Sequence, residues 1–206
     1  MANKGQTTRR RILERSAPMF NTRGYSGTSM GDVARESGLE KASIYNHFAG
    51  KEDLALAAFD FSMGIMRRRF EEALAGKVGV MERLLSAAGV LSRLIDDPPV
   101  AGGCPMLNTA VEADDANPAL KERAAAAAAD LLRLFGGLAK EGVANGELRA
   151  DVEPKEVASV VLASLEGALM LGKLLDDPGH ARRVEAHVTR YLRSLSCEPE
   201  PSGVAE

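Results

Sequence analysis

The chain has 206 residues, 45% of them hydrophobic and 4% aromatic, with a formal net charge of −3. That length and apolar content suit one small head and one larger body with a sizeable core. No apolar run stands out as membrane-spanning, the polar first eleven residues are not a signal peptide, and Cys104 and Cys197 give neither a disulfide framework nor a zinc spacing. The expectation is a cytoplasmic chain with no membrane partner, no metal and no cofactor.

Strand signals are nearly absent, and alanine- and leucine-rich segments between sparse Gly and Pro breaks predict an all-α fold. The first helix follows Thr7-Thr8, with Ile12, Leu13, Ala17 and Phe20 at helical spacing. Lys4, Arg9, Arg10 and Arg11 precede or open it, and they suit either a nucleic-acid backbone or an ordinary solvated terminus. Ser29, with Asp32 three residues on, forms a capping box that starts a second helix. Ala34 is small where two helices must approach, and Gly38 can adopt the positive φ of a sharp turn. Leu39 and Ile44 close the wedge, while Val33 and Leu54 complete its apolar face. This spacing predicts a helix-turn-helix unit, a device that lays one helix in the DNA major groove.

Charge agrees with that reading. Residues 1–51 hold nine Lys or Arg against four Asp or Glu, a net of +5 that leaves −8 on the remainder. A basic head neutralises phosphates, and an acidic body discourages nonspecific wrapping by DNA.

The stretch from Thr8 to Leu54 resembles the N-terminal domain of the TetR family of bacterial transcriptional regulators. The resemblance rests on the Phe20-x-x-x-Gly24-Tyr25 bend, on Ile44-Tyr45 and His47-Phe48, and on Lys51-Glu52-Asp53-Leu54. It implies a recognition helix over Lys41–His47, although Gly31 and Asn46 depart from the long basic residue and the aromatic that family members often carry there. If they face the groove, Asn46 pairs with adenine and Lys41 reaches guanine. Ala42 and Ser43 suit a thymine methyl or a phosphate. Thr28, Ser29, Tyr45, His47 and Lys51 complete the DNA-binding set, the last three as phosphate contacts. The alternative for His47 and Tyr45 is packing beneath the recognition helix.

The body is punctuated into helices over about 52–75, 78–95, 106–114, 118–143, 154–174 and 180–196, with Pro118 suited to a first helical position. The domains expected are a DNA-binding head (1–51), an effector-binding and dimerisation body (52–196) and a disordered tail (197–206). Val157, Val160, Val161, Ser164, Leu165, Ala168 and Leu171 on one late helix, and Val184, Val188, Tyr191, Leu192 and Leu195 on the next, form stripes suited to a four-helix dimer interface, with packing inside one chain as the alternative. The resemblance implies the same dimer, and with it two recognition helices about 34 Å apart on a pseudo-palindromic operator.

The resemblance also implies a small-molecule effector held among the middle helices, with repression relieved on binding. Met63, Met66, Phe70, Met106, Asn108, Glu112, Leu131, Phe135, Glu166 and Met170 are the candidate lining, and plain core is the alternative for each. Two other functions stay open: an architectural DNA binder without effector, and a thiol-sensing repressor using Cys104 at the start of a helix. An enzyme is not expected. His47, His180 and His187 lie far apart in sequence and no nucleophile motif, phosphate loop or metal spacing occurs.

Overall fold

A computed structural model describes residues 4–113 and 116–197. Nine α-helices account for most of the described residues: α1 (Lys4–Arg23), α2 (Met30–Ser37), α3 (Lys41–Tyr45), α4 (Lys51–Leu74), α5 (Val80–Ser92), α6 (Pro105–Ala113), α7 (Pro118–Ala144), α8 (Pro154–Leu174) and α9 (Gly179–Ser194). A short 3-10 turn, Arg93–Ile95, follows α5. The sole β pairing among the described residues is an isolated bridge between Leu148 and Ser196. The all-α expectation holds, and most helix limits fall within two residues of those read from punctuation.

The chain forms two compact units. Residues 1–68 and 98–127 make the first, and residues 69–97 and 128–206 the second, so α4 and α7 each run from one unit into the other. In the first unit, Ile12, Leu13 and Ala17 of α1 pack with Val33 of α2, Ile44 of α3, and Phe48, Leu54 and Ala58. Ile12, Val33, Ile44 and Leu54 are fully buried. Burying each such side chain contributes about 1.5–3 kcal/mol, enough to seat a five-residue helix that could not form alone.

The helix-turn-helix follows its sequence signals. Ser29 Oγ accepts from Asp32 N–H at 3.1 Å while the Asp32 carboxylate accepts from Ser29 N–H at 3.0 Å, closing the capping box. The hydrogen bonds from Ser29 also hold the Asp32 carboxyl below its ordinary pKa. Gly38 takes φ +65°, and Leu39 N–H reaches back to the Ala34 carbonyl at 3.1 Å. That left-handed residue turns the chain from α2 into α3 within two positions.

In the second unit, α5, α8 and α9 pack together. Val80, Leu84, Leu91, Phe135, Leu148, Val161 and Leu192 are all nearly or fully buried there. The chain returns from α9 to the segment before α8, where Arg149 N–H donates to Leu195 O and Cys197 N–H to Glu147 O, at 3.0 and 3.1 Å. Cys197 is thus tied by its backbone, and the rest of the expected tail lies outside the described residues.

One expectation is corrected by α8. Pro154–Leu174 is long and apolar enough to cross a membrane by length and composition, with a window of mean hydropathy 1.6. Half of that window is buried inside the chain, and a helix enclosed by its neighbours must be apolar on most sides for that reason alone.

Candidate nucleic-acid interface

The DNA-facing candidates do not share one environment. Lys41, Ala42, Tyr45 and Asn46 are exposed, Tyr45 by 51% despite its phenyl ring, whereas Ser43, His47 and Lys51 are half-buried. Tyr45 is therefore available at the surface, and His47 is the more enclosed of the two. Thr28 is a correction. It is only 1% exposed and its Oγ1 donates to the Met19 carbonyl at 3.4 Å, so it braces α1 from within and presents nothing to a groove. Ser29 is exposed, yet its hydroxyl is taken by the capping box.

The recognition helix is also shorter than the resemblance implied. α3 ends at Tyr45, Asn46 is its C-cap, and the N–H groups of His47 and Phe48 converge on the Ile44 carbonyl at 2.9 and 3.1 Å. Phe48, 1% exposed, turns inward there, and the chain must leave the helix to let it do so.

Gly31 explains the path of Lys41. A Cβ at Gly31 would lie 3.3 Å from Lys41 Cε and 3.4 Å from its Nζ, so the lysine folds back across the first turn of α2 through space that any side chain at position 31 would crowd. Two further cations are held against the head. Arg9 lies over the Phe48 ring at 4.8 Å, and Lys51 Nζ over the Tyr25 ring at 4.3 Å. Sequence reading found Lys51 but not its partner Tyr25, since a contact across 26 positions leaves no periodic trace.

The turn between α1 and α2 contains a link that the sequence did not disclose. Glu112, on α6, accepts hydrogen bonds from the backbone N–H groups of Tyr25 at 2.7 Å and Ser26 at 2.9 Å, one on each carboxylate oxygen. Gly24 makes this possible with φ +76°, because a Cβ there would stand 2.5 Å from both of those oxygens. Successive N–H groups after a left-handed residue form a small anion-binding concavity, and here a side chain of the same unit fills it. Asn108, one turn earlier on α6, adds a second tie: its amide donates to the Asn21 carbonyl, the Asn21 side chain and the Gly102 carbonyl at 2.8–3.0 Å. Asn21 in turn donates to the carbonyls of Ala101 and Gly103.

These contacts correct the effector assignment of Asn108 and Glu112, whose polar atoms are engaged in holding α1 and its turn. The cavity beside Glu112 and Phe59 has a volume of about 30 Å³, room for one water. Met170 is a further correction, since it is 48% exposed. Met66, Phe70, Met106, Leu131, Phe135 and Glu166 are buried and Met63 half-buried. Met63, Met66 and Met106 belong to the first unit, and Phe70, Leu131, Phe135 and Glu166 to the second.

The dimer stripe is corrected as well. Val157, Val161, Leu165, Ala168 and Val188 are each at most 2% exposed within a single chain, where they form the core of the second unit and cannot face a second copy. Ser164, Val184 and Tyr191 are half-buried. Burial raises the Tyr191 pKa, with Glu156 adding to the effect. The open face of α8 carries two members of the expected stripe, Val160 and Leu171, together with Met170, Leu174 and Ala163. Periodicity found an apolar helix but could not separate the two faces of one that is apolar nearly all round.

Cys104 is buried, 2% exposed, just before α6. Asp177 turns its carboxylate to Gly179 N–H and Arg183, both at 2.8 Å, and Arg183 foremost holds its pKa down. That carboxylate serves the start of α9.

Comparison with known proteins agrees with this architecture. Residues 12–58 match the family described as bacterial regulatory proteins, tetR family, and residues 80–188 match the tetracyclin repressor-like C-terminal domain. The chain belongs to the TetR family of transcriptional regulators, and it is a DNA-binding regulator. It is similar to a TetR transcriptional regulator from Chloroflexus aurantiacus J-10-FL, with 38% identity, a TM-score of 0.90, and coverage of 94% of this chain and 98% of that one. A TetR-family regulator from Cytophaga hutchinsonii is 30% identical with a TM-score of 0.88, over 97% and 100% of the two chains. The HTH-type transcriptional repressor DhaR of Mycobacterium sp. (strain GP1) is 26% identical over 174 residues, 81% of this chain and 82% of that protein.

The contact of Glu112 with the turn yields a direct test. Gly24→Ala is expected to expel the carboxylate and strain the turn, costing about 1–3 kcal/mol in denaturant unfolding. Adding Glu112→Ala should then cost little more, whereas fully additive losses would contradict the contact.

Proposed function

We propose that the protein is a homodimeric repressor that binds a pseudo-palindromic operator and is released by a small-molecule effector. The head (1–51) reads DNA, and the body (52–196) pairs the two copies and senses the effector. The observation that carries the reading is the helix-turn-helix itself: a capped α2, a left-handed Gly38 and an α3 whose Lys41, Ala42, Tyr45 and Asn46 stand exposed above a dry core.

At the C-cap of α3, Asn46 is the base reader, through the paired hydrogen bonds its amide can make to adenine. Lys41 holds a phosphate rather than guanine, because its chain lies back across α2 at Gly31. Tyr45 and Lys51 hold further phosphates and fix the register. The exposed stripe of Val160, Ala163, Leu171 and Leu174 on α8, with Tyr191 and Val184 on α9, pairs two copies.

Release follows from linkage. An effector that favours a shifted α6 draws Glu112 from the amides of Tyr25 and Ser26 and so unsettles the segment that starts α2. Its effect on operator affinity equals the coupling energy, about 1–3 kcal/mol in typical cases.

The experiment is capture of genomic fragments by the purified protein, followed by footprinting of the strongest site. A palindrome near a promoter supports the reading, and weak, sequence-indifferent binding contradicts it in favour of an architectural role. On the captured site, Lys41→Ala should lower affinity evenly across base substitutions and reduce the salt slope by about 0.9, whereas relaxed preference at one base pair would make Lys41 a base reader. Leu171→Glu should give folded monomers in sedimentation, and an unchanged mass would move the interface elsewhere.

A further inference from the structure

A groove on the first unit is lined by residues of α1 and α4 and by none of α3. It has a volume of about 820 Å³, within the range of small-molecule sites, and is bounded by α1, α4 and the Pro99–Ala101 turn. Its floor is apolar: Leu13, Ala17 and Val100 are buried, and Phe61 and Ile65 on α4 are half-buried. Its walls carry three arginines, Arg9, Arg10 and Arg68, against one carboxylate, Glu14.

The charges do not cancel. Arg10 Nε donates to Glu14 at 2.7 Å, which accounts for the single acid. Arg9 is held over Phe48 by its ring face, an arrangement that leaves the in-plane N–H groups of a guanidinium able to donate. Arg68 is exposed and makes no hydrogen bond or ion pair among the described residues. An apolar floor under two uncompensated guanidinium groups is complementary to one kind of molecule.

We propose that this groove binds a small amphiphilic anion, an apolar body ending in a carboxylate or phosphate. The body covers Phe61, Ile65 and Val100, which the chain leaves partly open or just beneath the surface, and the head group accepts from Arg68 and Arg9. The consequence rests on the DNA-binding reading above. Arg9 and Arg10 lie in the second turn of α1 in the basic head, so an anion seated among them competes with DNA phosphates for the same cations while fastening α1 to α4. Such a ligand lowers operator affinity, and more strongly at low salt, where the phosphate contacts count for most.

The test is calorimetric titration of the full chain with decanoate, decyl phosphate and uncharged decanol. Either anion or both should bind saturably and more tightly than decanol, the tighter one identifying the head group. Arg68→Gln should weaken the anions about tenfold and leave decanol unchanged. Ile65→Trp, which fills the floor, should abolish binding of all three while the far-ultraviolet circular dichroism stays that of the wild type. No saturable binding, equal binding of decanol, or binding indifferent to both substitutions would overturn the site. Because the titration contains no DNA, its failure is distinct from failure of the regulator reading: a footprinted operator with no anion binding removes only the groove, and anion binding without an operator removes only the reading. With both in hand, the bound anion should weaken operator binding in wild type and not in Arg68→Gln.

Discussion

The turn that leads into the helix-turn-helix is held by one carboxylate, that of Glu112 on α6. Between α1 and α2 the chain reverses through Gly24, and the N–H groups of Tyr25 and Ser26 are left pointing in one direction with no helix to receive them. The Tyr25 donor is half-buried and the Ser26 donor exposed, and Glu112 supplies one oxygen to each at hydrogen-bond distance. At the half-buried Tyr25 a hydrogen bond to a charged acceptor contributes about 1.5–3 kcal/mol, and the exposed one at Ser26 contributes less. The same turn delivers Thr28 into the core and Ser29 to the cap of α2. α6 therefore sets where α2 begins, and α2 sets where α3 lies.

The cations of the head follow from the same economy of space. Gly31 leaves room for Lys41 to lie across α2 without shifting, and Tyr25 must stand at the turn for Lys51 to rest on its ring. Long, flexible side chains lose about 2 kcal/mol of rotamer freedom when fixed, and partial fixing in the free protein lowers what is left to lose on DNA. A head built this way presents positive charge from defined places rather than as a diffuse cloud.

Local signals made much of this legible in the sequence. The capping box at Ser29 and Asp32, the left-handed Gly38 and the apolar spacing through Leu54 are all short-range, and each appears in the structure with the geometry its residue types require. What escaped was long-range or depended on facing. Glu112 reads as a candidate effector contact until the fold brings it to a turn 87 positions away. Thr28 reads as a surface hydroxyl next to a helix start, although it is the residue that turns inward. On α8 the small and apolar residues repeat so evenly that Val161 and Leu165 in the core cannot be told from Leu171 and Leu174 on the surface.

The central claim is that Glu112 holds the turn that aims the head. Amide hydrogen exchange at Tyr25 and Ser26, compared between the wild type and Glu112→Ala, tests it most directly. Both amides should exchange at least about tenfold more slowly in the wild type, with α4 amides the same in the two proteins. Equal rates at Tyr25 and Ser26 would contradict it, since the carboxylate would then carry none of the turn's stability.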